Sequence, residues 1–303
     1  MAFTATELSQ DDHFLSAILR SAHELMSIYD ENPRIASIFA AQQRWLLAHA
    51  GYALFLGYPD DPTPGLYSGR FVDFAVKYKI ASHNTAAAFL KEMIAYRFVR
   101  PVAGSSDRRI TLLEPTETTR EYMARWIYTH LLVLDALDGG DRMARTTADP
   151  PSVLRMQPKI AKMILDSESL KNPGVTFALF NWATSGGVVM DYLISRISKI
   201  DPASDKVLIG PISPKVIQSQ FMISSAHLKR LLKQATELGS VGWAGAPGKS
   251  SFWLSRNFVS EYWNYQAEKY AIVDTVSQAV LGQPDYSAKF GEELLPRALA
   301  ISA

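Results

Sequence analysis

At 303 residues and 48% hydrophobic side chains, the chain is long enough for about two domains and can bury a real core, so disorder is not the default. Lys and Arg (31) against Asp and Glu (30) leave a formal net charge of +1, so any basic footprint for nucleic acid has to be local. With 0 Cys, disulfides, thiolate metal sites and a cysteine nucleophile are excluded; with neither a signal-peptide pattern nor a membrane-length apolar run, a soluble, cytoplasmic protein with no membrane partner is expected.

In chain order, Ser9-Gln10-Asp11-Asp12 offers an N-cap with an acid three residues on, opening an amphipathic helix from Phe14 to Tyr29. Asn32-Pro33 breaks it. A second helix runs from Ile35 to about Leu56, a short one from about Gly69 to Tyr78, and a turn through Lys79-Ile80-Ala81 leads to Ser82. Ser82 caps a helix whose apolar positions Phe89, Leu90, Met93 and Ile94 recur at helical spacing and end at Phe98. Val99 to Val102 reads as a strand, Ala103 to Ser106 as a turn, and Ile110 to Leu113 as the returning strand. Pro115 suits an early helical position, so a long helix is expected from there to about Leu137, ended by Gly139-Gly140. Asp141 to Pro151 is the best candidate linker.

The second half repeats this order at an offset of 142, with Ser224 on Ser82, Leu232 on Leu90, Val241 on Val99 and Leu254 on Leu112. A helix is expected from about Ser152 to Glu168 and another from Val175 to Ile200. A short helix follows Ser213-Pro214, then a capped helix from Ser224. A hairpin pairs Val241-Gly242-Trp243 with Phe252-Trp253-Leu254, and a closing helix runs from Val259 to about Leu281. The fold class expected is mostly α with small β-hairpin wings: tandem winged helix-turn-helix domains joined by long helices. The boundaries read as 1–32 (a packing or dimerisation helix), 33–140 (first winged helix), 141–170 (linker and connecting helix) and 171–303 (second winged helix with its closing helix).

In a winged helix the first turns of the second helix of the pair face base edges. In the first half these positions are His83, Asn84, Thr85, Ala87, Ala88 and Lys91, while Ser82 and the helix N-terminus are expected to hold a phosphate. Asn pairs bidentately with adenine and Thr or Ala touches a thymine methyl, so readout leans to A·T. In the second half Ser225 and His227 begin the helix, and Lys229, Arg230 and Lys233 line its polar side, an electrostatic footprint that positions without specifying sequence. Gly245 to Ser250 superficially looks like a phosphate loop, but Trp243 stands where that pattern needs a glycine; it reads as a wing tip carrying Lys249.

Over residues 33–137 the first half resembles MarR-type winged-helix transcription regulators. The most specific match is Gly104-Ser105-Ser106-Asp107-Arg108-Arg109-Ile110-Thr111-Leu112, followed by Thr116 and Glu117. The resemblance implies that Arg108 or Arg109 reaches DNA backbone or minor groove, with Asp107 orienting it. Two departures stand out. The family has a glycine after the recognition helix where this chain reads Tyr96-Arg97-Phe98, and the second half offers Gly248-Lys249-Ser250 instead of an Asp-Arg pair. Two fused copies imply a pseudo-dimer within one chain, or a larger assembly such as a homodimer.

The six histidines never fall at metal-ligand spacing, and Thr184-Ser185-Gly186-Gly187, in an expected helical stretch, lacks a nucleophile-elbow pattern. No catalytic residue, metal or cofactor is therefore expected. The reading is a DNA-binding regulator on double-stranded DNA. The alternatives are a protein-interaction scaffold of tandem winged helices, and a sensor of a small aromatic effector in a pocket lined by Trp126, Trp182, Trp243, Trp253 and Trp263.

Overall fold

The computed structural model describes residues 2–31, 41–58, 61, 65–102, 110–201 and 203–282, the side chains of 23–25 and 27–31 excepted. It is mostly helical, with 67% helix and two small antiparallel sheets, in line with the coarse fold class expected. No helix among the described residues is long and apolar enough to cross a membrane. The chain divides into two compact units, and neither is contiguous: among the described residues the first comprises 2–3, 46–167 and 270–282, the second 4–45 and 168–269.

Helix α1 (Ala5–Gln10) is capped by Thr4, whose hydroxyl accepts from the Glu7 N–H while the Glu7 carboxylate accepts from the Thr4 N–H. The capping box is therefore at Thr4; Ser9, expected as a cap, lies inside α1. Asp11 opens α2 (Asp12–Glu31), its carboxylate accepting the His13 N–H at 2.7 Å. Phe14, Ala17, Ile18, Ser21 and Ala22 form the buried stripe of α2, at three- and four-residue spacing. Helix α3 (Gln42–Leu56) is the described part of the second expected helix; residues 32–40, where its start was placed, lie outside the described residues.

In the first unit, α4 (Ser68–Lys77) packs on α5 (His83–Ala95), with Phe71 stacked on Phe89 at 6.2 Å. Helix α5 buries Ala86, Phe89, Leu90 and Met93, but Ile94 is 38% exposed, off the stripe it was expected to join. Strand β1 (Val99–Pro101) pairs with β2 (Leu113–Pro115), Val99 opposite Pro115. Pro115 thus closes a strand, where a missing N–H is tolerated, and does not open the following helix. That helix, α6 (Glu117–Asp138), packs on α7 (Arg142–Ala148) and α8 (Pro151–Asp166).

The expected linker at Asp141 to Pro151 thus holds a helix. Its polar residues serve an ionic hub: Arg142, 5% exposed, donates to Asp274 at 2.7 Å, Asp138 at 2.8 Å and Asp135 at 3.1 Å. Asp274 also accepts the Phe3 N–H at 2.7 Å. Polar composition alone does not separate a solvated linker from a satisfied buried cluster.

In the second unit, α9 (Glu168–Lys171) precedes α10 (Val175–Asn181) and α11 (Gly186–Ser195), and α2 packs along α11. The single helix expected from Val175 to Ile200 is broken: Ser185 has φ 57°, and a Cβ on Gly186 would sit 2.0 Å from the Phe180 carbonyl oxygen. The Thr-Ser-Gly-Gly stretch is therefore a helix break, and Gly186 is the residue that lets the two helices meet so closely. Strand β3 (Lys206–Leu208), which the sequence reading missed, is followed by α12 (Pro214–Gln220), α13 (Ser225–Glu237), β4 (Val241–Trp243) and β5 (Phe252–Ser255). The strand order is β3-β5-β4, with the returning strand in the middle. In the first unit Leu66 bridges Leu113 of its own returning strand in the same way. Helix α14 (Arg256–Leu281) is the last described helix, lending Arg256–Lys269 to the second unit and Tyr270–Leu281 to the first.

The repeat is visible in the backbone. Helices α5 and α13 both have 13 residues and stand 142 apart (225 against 83, 237 against 95). Both end in a Schellman turn: Arg97 and Phe98 N–H bond Ile94 and Met93 carbonyls, and Gly239 and Ser240 N–H bond Thr236 and Ala235. Beyond the hairpin tip the offset falls to 139, since Val241 pairs with Leu254 as Val99 pairs with Pro115. The gapless match of Leu254 to Leu112 is thus corrected: Leu254 answers Pro115, and the second hairpin is three residues shorter.

Candidate nucleic-acid interface

Ser82 and Ser224 set the start of the two candidate recognition helices. Each hydroxyl accepts an N–H three residues on, from Thr85 at 3.3 Å and His227 at 3.2 Å. Burial of Phe89, Leu90 and Met93 on α5, and of Leu228, Leu231 and Ala235 on α13, turns the opposite faces to solvent. Leu238, at the C-cap of α13, is 49% exposed because the helix ends there.

On α5 the solvent face carries Ser82, His83, Asn84, Thr85, Ala88 and Lys91, all exposed, with Ala87 half-buried. Its charge is modest, Lys91 beside Glu92. On α13, Ser225, Lys229, Arg230 and Lys233 are exposed and His227 is half-buried. Two of these are engaged with neighbours: Arg230 Nη2 lies 3.4 Å from His227 Nδ1, and Lys233 pairs with Glu237 at 3.7 Å. The expected residues of each helix are therefore gathered on one face, with α13 the more basic.

The hairpins differ. Asp107, Arg108 and Arg109, with the Gly104-Ser105-Ser106 turn, lie outside the described residues. At the base of that hairpin Arg100 donates to Glu114 at 2.7 Å across the strands, and Thr116 and Thr119 hydroxyls donate to the Phe98 carbonyl. The second tip is a compact turn with Gly248 at φ 75° and Lys249 exposed. Its backbone donors are used internally: Gly245 N–H bonds Ser250 Oγ at 2.9 Å, and Lys249 and Ser250 N–H bond the Ala246 carbonyl. It joins two strands and uses the N–H groups of Gly245, Lys249 and Ser250 internally, so it is a hairpin tip and lacks the strand-to-helix setting of a phosphate cradle.

Sequence reasoning missed two groupings. Lys206 Nζ sits 4.4 Å above the Trp253 ring, which lies flat across Gly242; any Cβ there would come within 2.6 Å of the indole. Deeper in the second unit, Tyr262 donates to Asp191 at 2.8 Å and Tyr265 to Gln42 at 3.0 Å. Burial pushes Lys269 down to about 8, partly offset by Asp191, and burial raises Asp191. A period-3.6 apolar pattern hides such polar residues, because they share the buried stripe.

Of the tryptophans expected around an effector, Trp126 belongs to the first unit and Trp182, Trp243, Trp253 and Trp263 to the second. Trp126 meets His130 at 4.1 Å in a tilted contact in the first unit, Trp263 meets Phe14 at 6.5 Å in the second, Trp243 packs edge-on against Phe252 in the hairpin, and Trp182 is 46% exposed. Among the described residues no group of His, Asp and Glu side chains gathers as a metal site would require. No protein-family model matches the chain, and neither a curated protein nor a solved structure matches it.

Proposed function

We propose that this chain is a DNA-binding transcriptional regulator of tandem winged-helix design, MarR-like in its first half, that holds duplex DNA with two recognition helices and two wings. The observation that carries the reading is the repeated unit: a serine-capped 13-residue helix with a solvent-facing polar side, a Schellman turn, then an antiparallel hairpin. Lys229, Arg230 and Lys249 supply the local cations that a near-neutral chain needs for a polyanion. His83, Asn84 and Thr85 supply groups able to discriminate bases. Asp107, Arg108 and Arg109 complete the first wing by resemblance. A low-salt mobility shift with the DNA upstream of its own gene tests this; a retarded complex that dissolves steeply with added salt is expected, and no complex in about 50 mM salt would sink the reading.

A second reading, a protein-interaction scaffold, is favoured by the exposed Ile94 and Tyr96 at the end of α5, 38% and 48% accessible beside few charges. If the scaffold reading holds, salt-insensitive capture of a partner protein replaces DNA binding.

A further inference from the structure

The constant offset between α5 and α13 lets their solvent faces be compared position by position, and the chemistry changes at each decisive place. Asn84, able to pair bidentately with adenine, is answered by Ala226, which carries no donor. Ala88, which allows close approach but reads nothing by hydrogen bond, is answered by Arg230, whose five donors match the O6 and N7 of guanine. Ala87 is answered by Lys229, a point charge suited to phosphate.

Arg230 is also the placed member of its cluster. Its guanidinium lies 3.4 Å from the His227 imidazole one turn earlier, which directs it toward the N-terminal half of the helix, the part that meets base edges in a winged helix. Lys233, one turn later, lies 3.7 Å from Glu237, an exposed carboxylate that partly offsets its field.

We propose, resting on the DNA-binding reading above, that the operator is non-palindromic: one half-site is A·T-rich and read through Asn84, while the other contains a guanine read by Arg230, with Lys229 and Lys249 on the flanking phosphates. A homodimer of identical reading heads favours a site with two-fold symmetry. Two covalently joined, chemically unlike heads do not, and a single chain holds both.

The test uses the full-length chain and selection from a random duplex pool, followed by binding of the selected site carrying 7-deazaguanine, which lacks the N7 acceptor. An asymmetric consensus is expected, with a guanine in one half only. Arg230→Ala and the 7-deaza base should each weaken binding roughly five- to hundredfold, and together no more than either alone. Asn84→Ala should relax preference only in the other half. Both side chains are exposed, so an unchanged thermal melt confirms that each variant is folded. A palindromic consensus overturns the proposal, as does an Arg230→Ala loss that is equal on all sequences and additive with the 7-deaza base. If no duplex is retained even at low salt, the DNA-binding reading itself falls, an outcome distinct from either.

Discussion

Arg97 and Gly239 hold the same post in two matching turns: each is the left-handed residue that ends a serine-capped helix, with φ 61° and 69°. An L-residue there costs about 1–2 kcal/mol, while glycine costs little strain. In the first unit Thr116 and Thr119 hydroxyls bond the Arg97 and Phe98 carbonyls and hold the strained turn in place.

Arg97→Gly should therefore stabilise the protein by up to about 1 kcal/mol, and Gly239→Ala should destabilise it by about 1–2 kcal/mol. Urea midpoints measure both. A destabilising Arg97→Gly would mean that its side chain contributes more than its backbone costs.

Asp274 is fully buried and accepts from both Arg142 and the Phe3 N–H. Arg142→Met leaves that carboxylate without its cation, so a loss of about 3–5 kcal/mol is expected. The hub also sets an acid limit. The hydrogen bond from Arg142 holds Asp138 below the usual carboxylate range, so its folded pKa is depressed relative to the unfolded chain. Its stabilisation is present above the unfolded value, about pH 4, and is lost as pH falls through the depressed one. Denaturation midpoints between pH 5 and 2 should fall more steeply for the wild type than for Arg142→Met; parallel curves would exclude the hub as the cause.

Lys269 gives a slope of the same sign in an alkaline window. Its folded pKa is lowered from 10.5 to about 8, so from about 8 to 10.5 the unfolded chain binds more protons and stability rises with pH. Lys269→Met should remove that rise, and because it leaves the buried Asp191 without its neighbouring cation it should also lower stability at pH 7. An alkaline rise retained in the variant would assign it to another group.

Replacing Arg108 and Arg109 together by alanine should weaken DNA binding evenly across sequences and flatten the salt slope by about 2. Lys249→Ala should act alike with a slope change of about 1. A change in base preference from either variant would contradict a backbone role for the wings.

The local elements were legible where a short-range rule decides them. Ser82 and Ser224 as caps follow from hydroxyl chemistry, and the β4–β5 hairpin falls on the residues its alternation marks. The solvent faces of α5 and α13 follow from where Phe89, Leu90, Leu228 and Leu231 are buried. What was hidden depends on partners far along the chain. The helix at Arg142 is explained by Asp274, 132 residues away, and the three-residue shift in register by a hairpin whose length only strand pairing reveals. β3 is three residues long with an exposed-buried-exposed pattern, too short to announce itself before Leu254 is known to sit beside it. The left-handed Arg97 was read as a departure from a glycine; the backbone takes the glycine conformation anyway.

Helix α8 belongs to the first unit and α2 to the second, and the first unit also takes Tyr270–Leu281, where Tyr270 meets His130 at 4.7 Å. During synthesis, α3 to α6 leave the ribosome long before the segment that covers His130 and supplies Asp274 to Arg142. The first unit therefore cannot finish its core until the chain has been made nearly to Leu281, and its early apolar surface waits exposed meanwhile. A ribosome halted after about residue 170 should display a protease-sensitive first unit, and a gene split at the repeat boundary should yield two fragments that reach native structure only when expressed together.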